Sequence, residues 1–176
     1  MNTVFFDIDT QIDFLYPAGA LYVPGAERVV PNIARLNHWA VSRGIKLVST
    51  VDAHREDDPE FRAWPPHCVV GTPGQLKPAA TLAGQIIFEK QTTNVFDAPG
   101  IATLLEGLQA DRYVVYGVVT EICVAHAARG LLHTGKPVAI VTDAVETLDR
   151  GTAERFFAAF TAAGGTLTTV AEVIGK

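Results

Sequence analysis

Thr3-Val-Phe-Phe-Asp-Ile-Asp9 and Gly44-Ile-Lys-Leu-Val-Ser-Thr-Val51 are two short apolar runs, and Val30 to Arg43 between them carries apolar residues at helical spacing. That succession of strand, helix and strand decides the fold class. The pattern continues along the chain. Gln85 to Phe88, Arg112 to Gly117, Pro137 to Thr142 and Thr166 to Val170 are further strand candidates, and Ile101 to Leu108, Glu121 to Thr134 and Thr152 to Ala163 read as helices. Strands alternating with helices predict an α/β protein with a mainly parallel central sheet covered on both faces. Ligands of such sheets gather outside the carboxyl ends of the strands.

The 176 residues, 48% of them apolar, suit a single domain spanning 1–176 with a substantial core. No run approaches the ~20 apolar residues that cross a bilayer. The opening Met1-Asn-Thr-Val-Phe-Phe-Asp-Ile-Asp-Thr-Gln11 has acids where a signal peptide would carry basic residues, so a cytoplasmic setting is expected. Cys68 and Cys123 are too few for a disulfide framework and are expected as free thiols. The net charge of -5 is scattered, with no basic cluster to track a phosphate backbone, which argues against a nucleic-acid partner.

Gly117-Val-Val-Thr-Glu-Ile-Cys123-Val-Ala-His126 follows an apolar strand and enters a helix pattern. A thiol near a helix N-terminus gains thiolate character, which suits a nucleophile. Taken alone, Cys123 fits a small core residue equally well. Asp9 closes the first strand, where it can reach the same sheet edge and accept the thiol proton; Asp13 is the better candidate for capping the turn that follows. Lys90 closes Ile86-Ile-Phe-Glu-Lys90, where a cation would lower a thiol pKa and stabilise charge on a substrate oxygen. Three such residues at the ends of three strands make a stronger case than any one of them.

The segment from Asp52 to Pro78 is long, rich in Pro and charge and weakly periodic, as functional loops often are. Within it, Asp52-Ala-His54, Glu60 and His67 suit a zinc, iron or manganese site. Glu56, Asp57 and Asp58 compete with Glu60 as further ligand. His38, His126 and His133 lie in helical stretches without such company and read as packing or surface residues.

Several motifs then coincide. Asp9-x-Gln11-x-Asp13-Phe14, Gly19-Ala-Leu-Tyr-Val-Pro-Gly25, Asp52-Ala-His54, Trp64-Pro-Pro-His67-Cys-Val-Val-Gly-Thr-Pro-Gly74, Glu89-Lys90 and Gly117-Val-Val-Thr-Glu-Ile-Cys123-Val occur in this order over nearly the whole chain. In them the chain resembles the isochorismatase-like cysteine hydrolases, and within these the nicotinamidases. The resemblance implies a three-layer α/β/α fold, a triad of Asp9, Lys90 and Cys123, and one divalent metal, zinc before iron or manganese, on Asp52, His54 and His67. Glu60 matches a variant in which Glu replaces a more usual His. The resemblance further implies that Phe14 and Trp64 pack on the substrate ring. It implies a cis peptide between Val118 and Val119, and an oxyanion hole from the N–H groups of Val119 and Cys123. The implied reaction is deamidation of nicotinamide, a small-molecule amide, through an acyl thioester on Cys123, in the setting of NAD salvage. A homo-oligomer is the implied assembly.

Two other readings compete. A carbamoyl, ureido or aliphatic amidohydrolase of the same superfamily would share the triad but generally lacks the metal ligands. Phe5-Phe6-Asp7-Ile-Asp9-Thr10 resembles the opening of haloacid-dehalogenase-type phosphatases, with Asp7 as nucleophile. There the Thr is displaced by one position, the usual Gly is missing, and Cys123 and the histidines are left without a role. A non-catalytic ligand-binding member of the fold is a third class, against which the complete triad and ligand set argue.

Overall fold

A computed structural model describes residues 1–175. Six strands, β1 (Thr3–Ile8), β2 (Lys46–Asp52), β3 (Ile86–Lys90), β4 (Arg112–Gly117), β5 (Val138–Val145) and β6 (Thr166–Thr168), form one sheet in the order β3-β2-β1-β4-β5-β6. Every pairing is parallel. The helices are α1 (Ile12–Leu15), α2 (Val30–Ser42), α3 (Ile101–Leu108), α4 (Ala125–His133), α5 (Arg150–Ala162) and α6 (Val170–Ile174).

Alternation along β1 sends side chains to two cores. Val4, Phe6 and Ile8 join Val115 of β4 in packing against Ile101 of α3, Leu131 of α4 and Phe156 and Phe160 of α5. Phe5, with Val114 and Tyr116 of β4, packs against Ile33, Leu36 and Ala40 of α2 and Val170 of α6. The sheet is thus the middle of three layers, and burial on both faces explains why its central strands read as continuous apolar runs. The strand order reverses between β1 and β4, and at this switch point the two carboxyl ends diverge and open a crevice. Asp9 leaves β1 there and the Cys123 turn leaves β4 there. Gly117 makes the approach possible: its φ is 121°, and a Cβ would collide with the Ile8 carbonyl oxygen.

Two expectations of local structure are corrected, and one short helix is added. The Glu121–Thr134 helix opens with a π-helical turn, Thr120–Val124, before regular α4 begins. The last strand stops at Thr168, because Thr169 caps α6 in a reciprocal box with Glu172. That Thr-x-x-Glu signature was present in the sequence and marks a helix start. The short helix α1, directly after Asp9, interrupts what otherwise reads as loop.

The phosphatase reading of Asp7 is also corrected. Asp7 is fully buried on the α2 side of the sheet and does not line the cavity described below. Its Oδ2 accepts from Lys77 Nζ (2.9 Å), Asn37 Nδ2 (2.8 Å) and Ser49 Oγ (3.1 Å), and its Oδ1 from Thr10 Oγ1 (2.7 Å). Tyr116 in turn donates to Asn37 Oδ1 at 2.6 Å. A buried carboxylate with an ion-pair partner and every oxygen hydrogen-bonded is a structural element. It ties the end of the Asp52–Pro78 segment, through Lys77, to the strand that carries Asp9.

Candidate active site

At the carboxyl end of β1 the chain turns at once. Asp9 has φ 51°, a left-handed conformation that non-glycine residues seldom adopt, and its N–H donates to Thr50 O at 3.0 Å. The turn aims the carboxyl inward, where Thr50 Oγ1 donates to Oδ1 at 2.6 Å. Lys90, paired in register with Asp52 at the ends of β3 and β2, brings its ammonium to 2.8 Å from Asp9 Oδ2. Lys90 also donates to Asp52 Oδ1 at 2.5 Å and to Thr92 O at 2.9 Å. Asp9 and Lys90 are 1% and 3% exposed, so this is charge held out of water.

Cys123 is buried on the π-helical turn after β4 and faces both groups. Burial pushes its thiol well above the ordinary value; Lys90 opposes this, and the Asp9 and Asp52 carboxylates add to it. Lys90 acts on the thiol in the expected direction, and burial of Cys123 works against it. Burial likewise raises the Asp9 carboxyl, with Lys90 opposing. Against burial, which favours the neutral amine, Asp9, Cys123 and Asp52 keep Lys90 well above its usual value. The site is a base, a thiol and a fixed cation in one dry compartment.

The segment after β2 supplies a second group of donors. The Nε2 atoms of His54 and His67 lie 3.7 and 3.8 Å from Asp52 Oδ2, and one ligand atom from each of the three residues falls within 4.8 Å of the others. Glu60 Oε1 is 3.9 Å from His67 Nε2. Such spacing suits donors that share one ion at about 2.0–2.2 Å. His67 donates Nδ1–H to Pro65 O at 2.7 Å, and the His54 Nδ1 faces Asp58 Oδ2 at 3.0 Å, so both rings present Nε2 inward. The buried His54 Nε2 has no hydrogen-bond partner among the described residues. A buried imidazole nitrogen with no hydrogen-bond partner, 3.7 Å from the Asp52 carboxylate, has the placement of a metal ligand. The residues present fit a divalent cation.

These contacts separate the competing acids. Asp58 orients His54 from behind, Glu56 and Asp57 are exposed, and Glu60 faces the cluster from its rim. Burial raises the Glu60 carboxyl. Lys90 and His54 bring Asp52 below the ordinary carboxylate range although burial opposes them. Asp52 bridges the two groups of residues, one oxygen on Lys90 and the other facing the imidazoles.

One cavity opens onto both: Cys123, Val119, Asp52, Glu60, His67, Phe14 and Trp64 all line it. The Val118–Val119 peptide is cis, and the Val119 N–H makes no hydrogen bond among the described residues. Cys68 is fully buried away from this cavity, with burial pushing its thiol far up. His38 and His133 are exposed and His126 is half-buried, outside the cavity as expected.

Gln11 and Phe61 hold the site although neither was assigned a role of its own from the sequence, and Asp13 does more than was expected of it. Gln11 joins the ends of β1 and β2: its Nε2 donates to Asp52 O and Gln75 O, both at 2.8 Å, and its Oε1 accepts from Asp52 N at 2.7 Å. Asp13 does cap the following turn, at Ala20 N (2.9 Å), and reaches further, to Cys68 N (2.7 Å), which pins the ligand-bearing segment. Phe61 packs against both imidazoles, with ring centroids 5.3 and 5.7 Å away. The spacing Asp9-x-Gln-x-Asp signalled Gln11 and Asp13; nothing local signalled Phe61.

A parallel sheet reversing at the switch point, with Cys, Lys and Asp at three strand ends and an Asp/His/His cluster beside them, defines a hydrolase of the isochorismatase-like architecture. The Isochorismatase domain model matches residues 3–172, and the chain belongs to that family. It is 26% identical to the nicotinamidase of Escherichia coli, over 94% of this chain and 93% of that one. Among solved structures it is similar to the pyrazinamidase of Pyrococcus horikoshii in complex with zinc, with TM-score 0.89 and 28% identity over 96% of this chain and 99% of that one. It is also similar to N-carbamoylsarcosine amidase from Thermoplasma acidophilum, with TM-score 0.84 and 25% identity over 97% of each chain.

Proposed function

We propose that the protein is a metal-containing cysteine amidohydrolase that converts nicotinamide to nicotinate and ammonia. The observation that carries this reading is the single cavity lined both by Cys123 and by the Asp52, Glu60 and His67 donors. A substrate filling it would bear its amide at one end and a coordinating atom at the other, as a pyridine carboxamide does.

In the proposed reaction Asp9 takes the proton of Cys123 as the sulfur attacks the carboxamide carbon, which the raised thiol pKa makes necessary. The N–H groups of Val119 and Cys123 hold the tetrahedral oxyanion, and the buried Lys90 stabilises the negative charge gathered around it. Asp9 returns the proton to the departing nitrogen, and ammonia leaves an acyl thioester. Asp9 then takes a proton from water as it attacks the thioester, releasing the carboxylic acid and restoring the thiol. Phe14 and Trp64 sandwich the ring. Asp52, His54, His67 and Glu60 would hold the metal, zinc by the donor set. When bound, the ion supplies a Lewis-acid site for the ring nitrogen and for ordered water.

The similarity to an N-carbamoylsarcosine amidase supports amide chemistry in general. The cavity favours the aromatic substrate: its wall is mainly apolar and includes the rings of Phe14 and Trp64. Ammonia release from nicotinamide, pyrazinamide, an aliphatic amide and N-carbamoylsarcosine, with and without chelation, tests the reading. Turnover of the two aromatic amides that falls on chelation is the expected result. Preference for the carbamoyl or aliphatic compound, unaffected by chelation, would overturn it.

A further inference from the structure

Glu121 lies two positions before the nucleophile, yet its carboxylate points to another loop. Oε1 accepts from Leu148 N at 2.9 Å and Asp149 N at 2.8 Å, and Oε2 accepts from Thr147 Oγ1 at 2.5 Å. Thr120 adds two bonds to the same loop, from its N–H (2.9 Å) and its hydroxyl (2.8 Å) to Glu146 O. The stretch from Glu146 to Asp149, which follows β5, is therefore suspended from the very turn that carries Cys123. A loop so tied keeps a set distance from the sulfur.

What the loop carries into the site is Leu148. Its side chain lines the cavity and is 46% exposed, whereas Cys123 beside it is 8% exposed, and no other lining residue is as open. A leucine packed on one side only, at the rim of a mainly apolar wall, gains its missing contacts when an apolar group enters. We propose that Leu148 determines how large an acyl group the site accepts, and that Glu121 is the positioning residue that sets its place relative to Cys123. This rests on the amide hydrolysis proposed above and adds to it the element that selects among amides.

The size dependence follows from the geometry. Leu148 lines the same cavity as Cys123, Asp52 and His67, so a substrate larger than one ring competes with its side chain for that space. Shortening the side chain makes room, and lengthening it removes room. Differences of a methylene or more in an apolar pocket change relative kcat/KM by about 10–200-fold.

The test is the ratio of kcat/KM for quinoline-3-carboxamide to that for nicotinamide, measured on the metal-loaded enzyme and its variants. Leu148→Ala is expected to raise the ratio about tenfold or more, and Leu148→Phe to lower it. Glu121→Ala, which removes three of the five bonds between the turn and the loop and leaves those of Thr120, is expected to move the ratio in the same direction as Leu148→Ala. Glu121→Gln keeps an amide oxygen for the two N–H donors and should restore the wild-type ratio, which a general loss of stability would not explain. A ratio unchanged in both Leu148 variants, with the wild type active on nicotinamide, would overturn the inference alone. A wild type that releases ammonia from neither amide would overturn the amidase reading and this inference with it.

Discussion

At the scale of single residues the site is governed by burial. Asp9, Lys90 and Cys123 share a compartment in which one cation faces two carboxylates and a thiol, and desolvation raises the thiol against the pull of Lys90. Asp9 must be ionised to take that proton, and burial raises its carboxyl above the ordinary 3.8. A base with a raised pKa loses function as pH falls through the raised value, so the acid limb of kcat/KM should fall above pH 3.8, measurable by ammonia release across the acid range. Lys90→Met removes the cation that opposes burial at Asp9, so it should move that limb further up and lower kcat by about 10²-fold or more. An unmoved limb in Lys90→Met would separate Lys90 from the titration. These three residues were legible in the sequence because each closes an apolar run, and parallel sheets gather such ends. Their protonation was not legible, because it depends on how much water the fold excludes, and a motif does not record that. The helix-terminus argument for Cys123 weighed local charge alone and left out the burial that opposes it.

At the scale of elements the cavity depends on long-range ties that leave no local trace. The pair Asp7–Lys77 spans seventy positions of sequence, and Asp7 by itself read only as an odd acid in an apolar strand. Removing one member of a buried pair strands the other charge, so Lys77→Met should lower stability by about 3–5 kcal/mol in denaturant unfolding. The double variant Asp7→Asn/Lys77→Met should recover most of that loss; a double variant as unstable as the single would show that the charge pairing is not the cause. Gly117→Ala should be at least as disruptive, since its Cβ has no room beside Ile8. The order of the six strands and of helices α2 to α5 was readable from periodicity, whereas α1 and α6 were not. Boundaries were missed where side chains override periodicity, as at Thr169, or where a π-helical turn precedes a regular helix, as at Thr120–Val124.

At the scale of the whole molecule, two sets of residues from different parts of the chain meet at one switch point, joined by Asp52. Metal binding to the native cluster alone stabilises the fold by mass action, by about 2.7 kcal/mol at a free concentration one hundred times Kd. Chelation should therefore lower the melting temperature of the wild type and leave that of His54→Ala unchanged. Equal shifts in both would place the ion elsewhere. The ligand acids could be listed from the sequence but not ranked, since only the folded loop sets Asp58 behind His54 and Glu60 before His67. The central claim, that Cys123 is the nucleophile of an amidohydrolase whose metal cluster is separate from it, is tested most directly by ammonia release from nicotinamide together with metal content in Cys123→Ala. The account predicts a loss in kcat of about 10⁴-fold or more with the metal fully retained; a variant that turns over nicotinamide at the wild-type rate would contradict it.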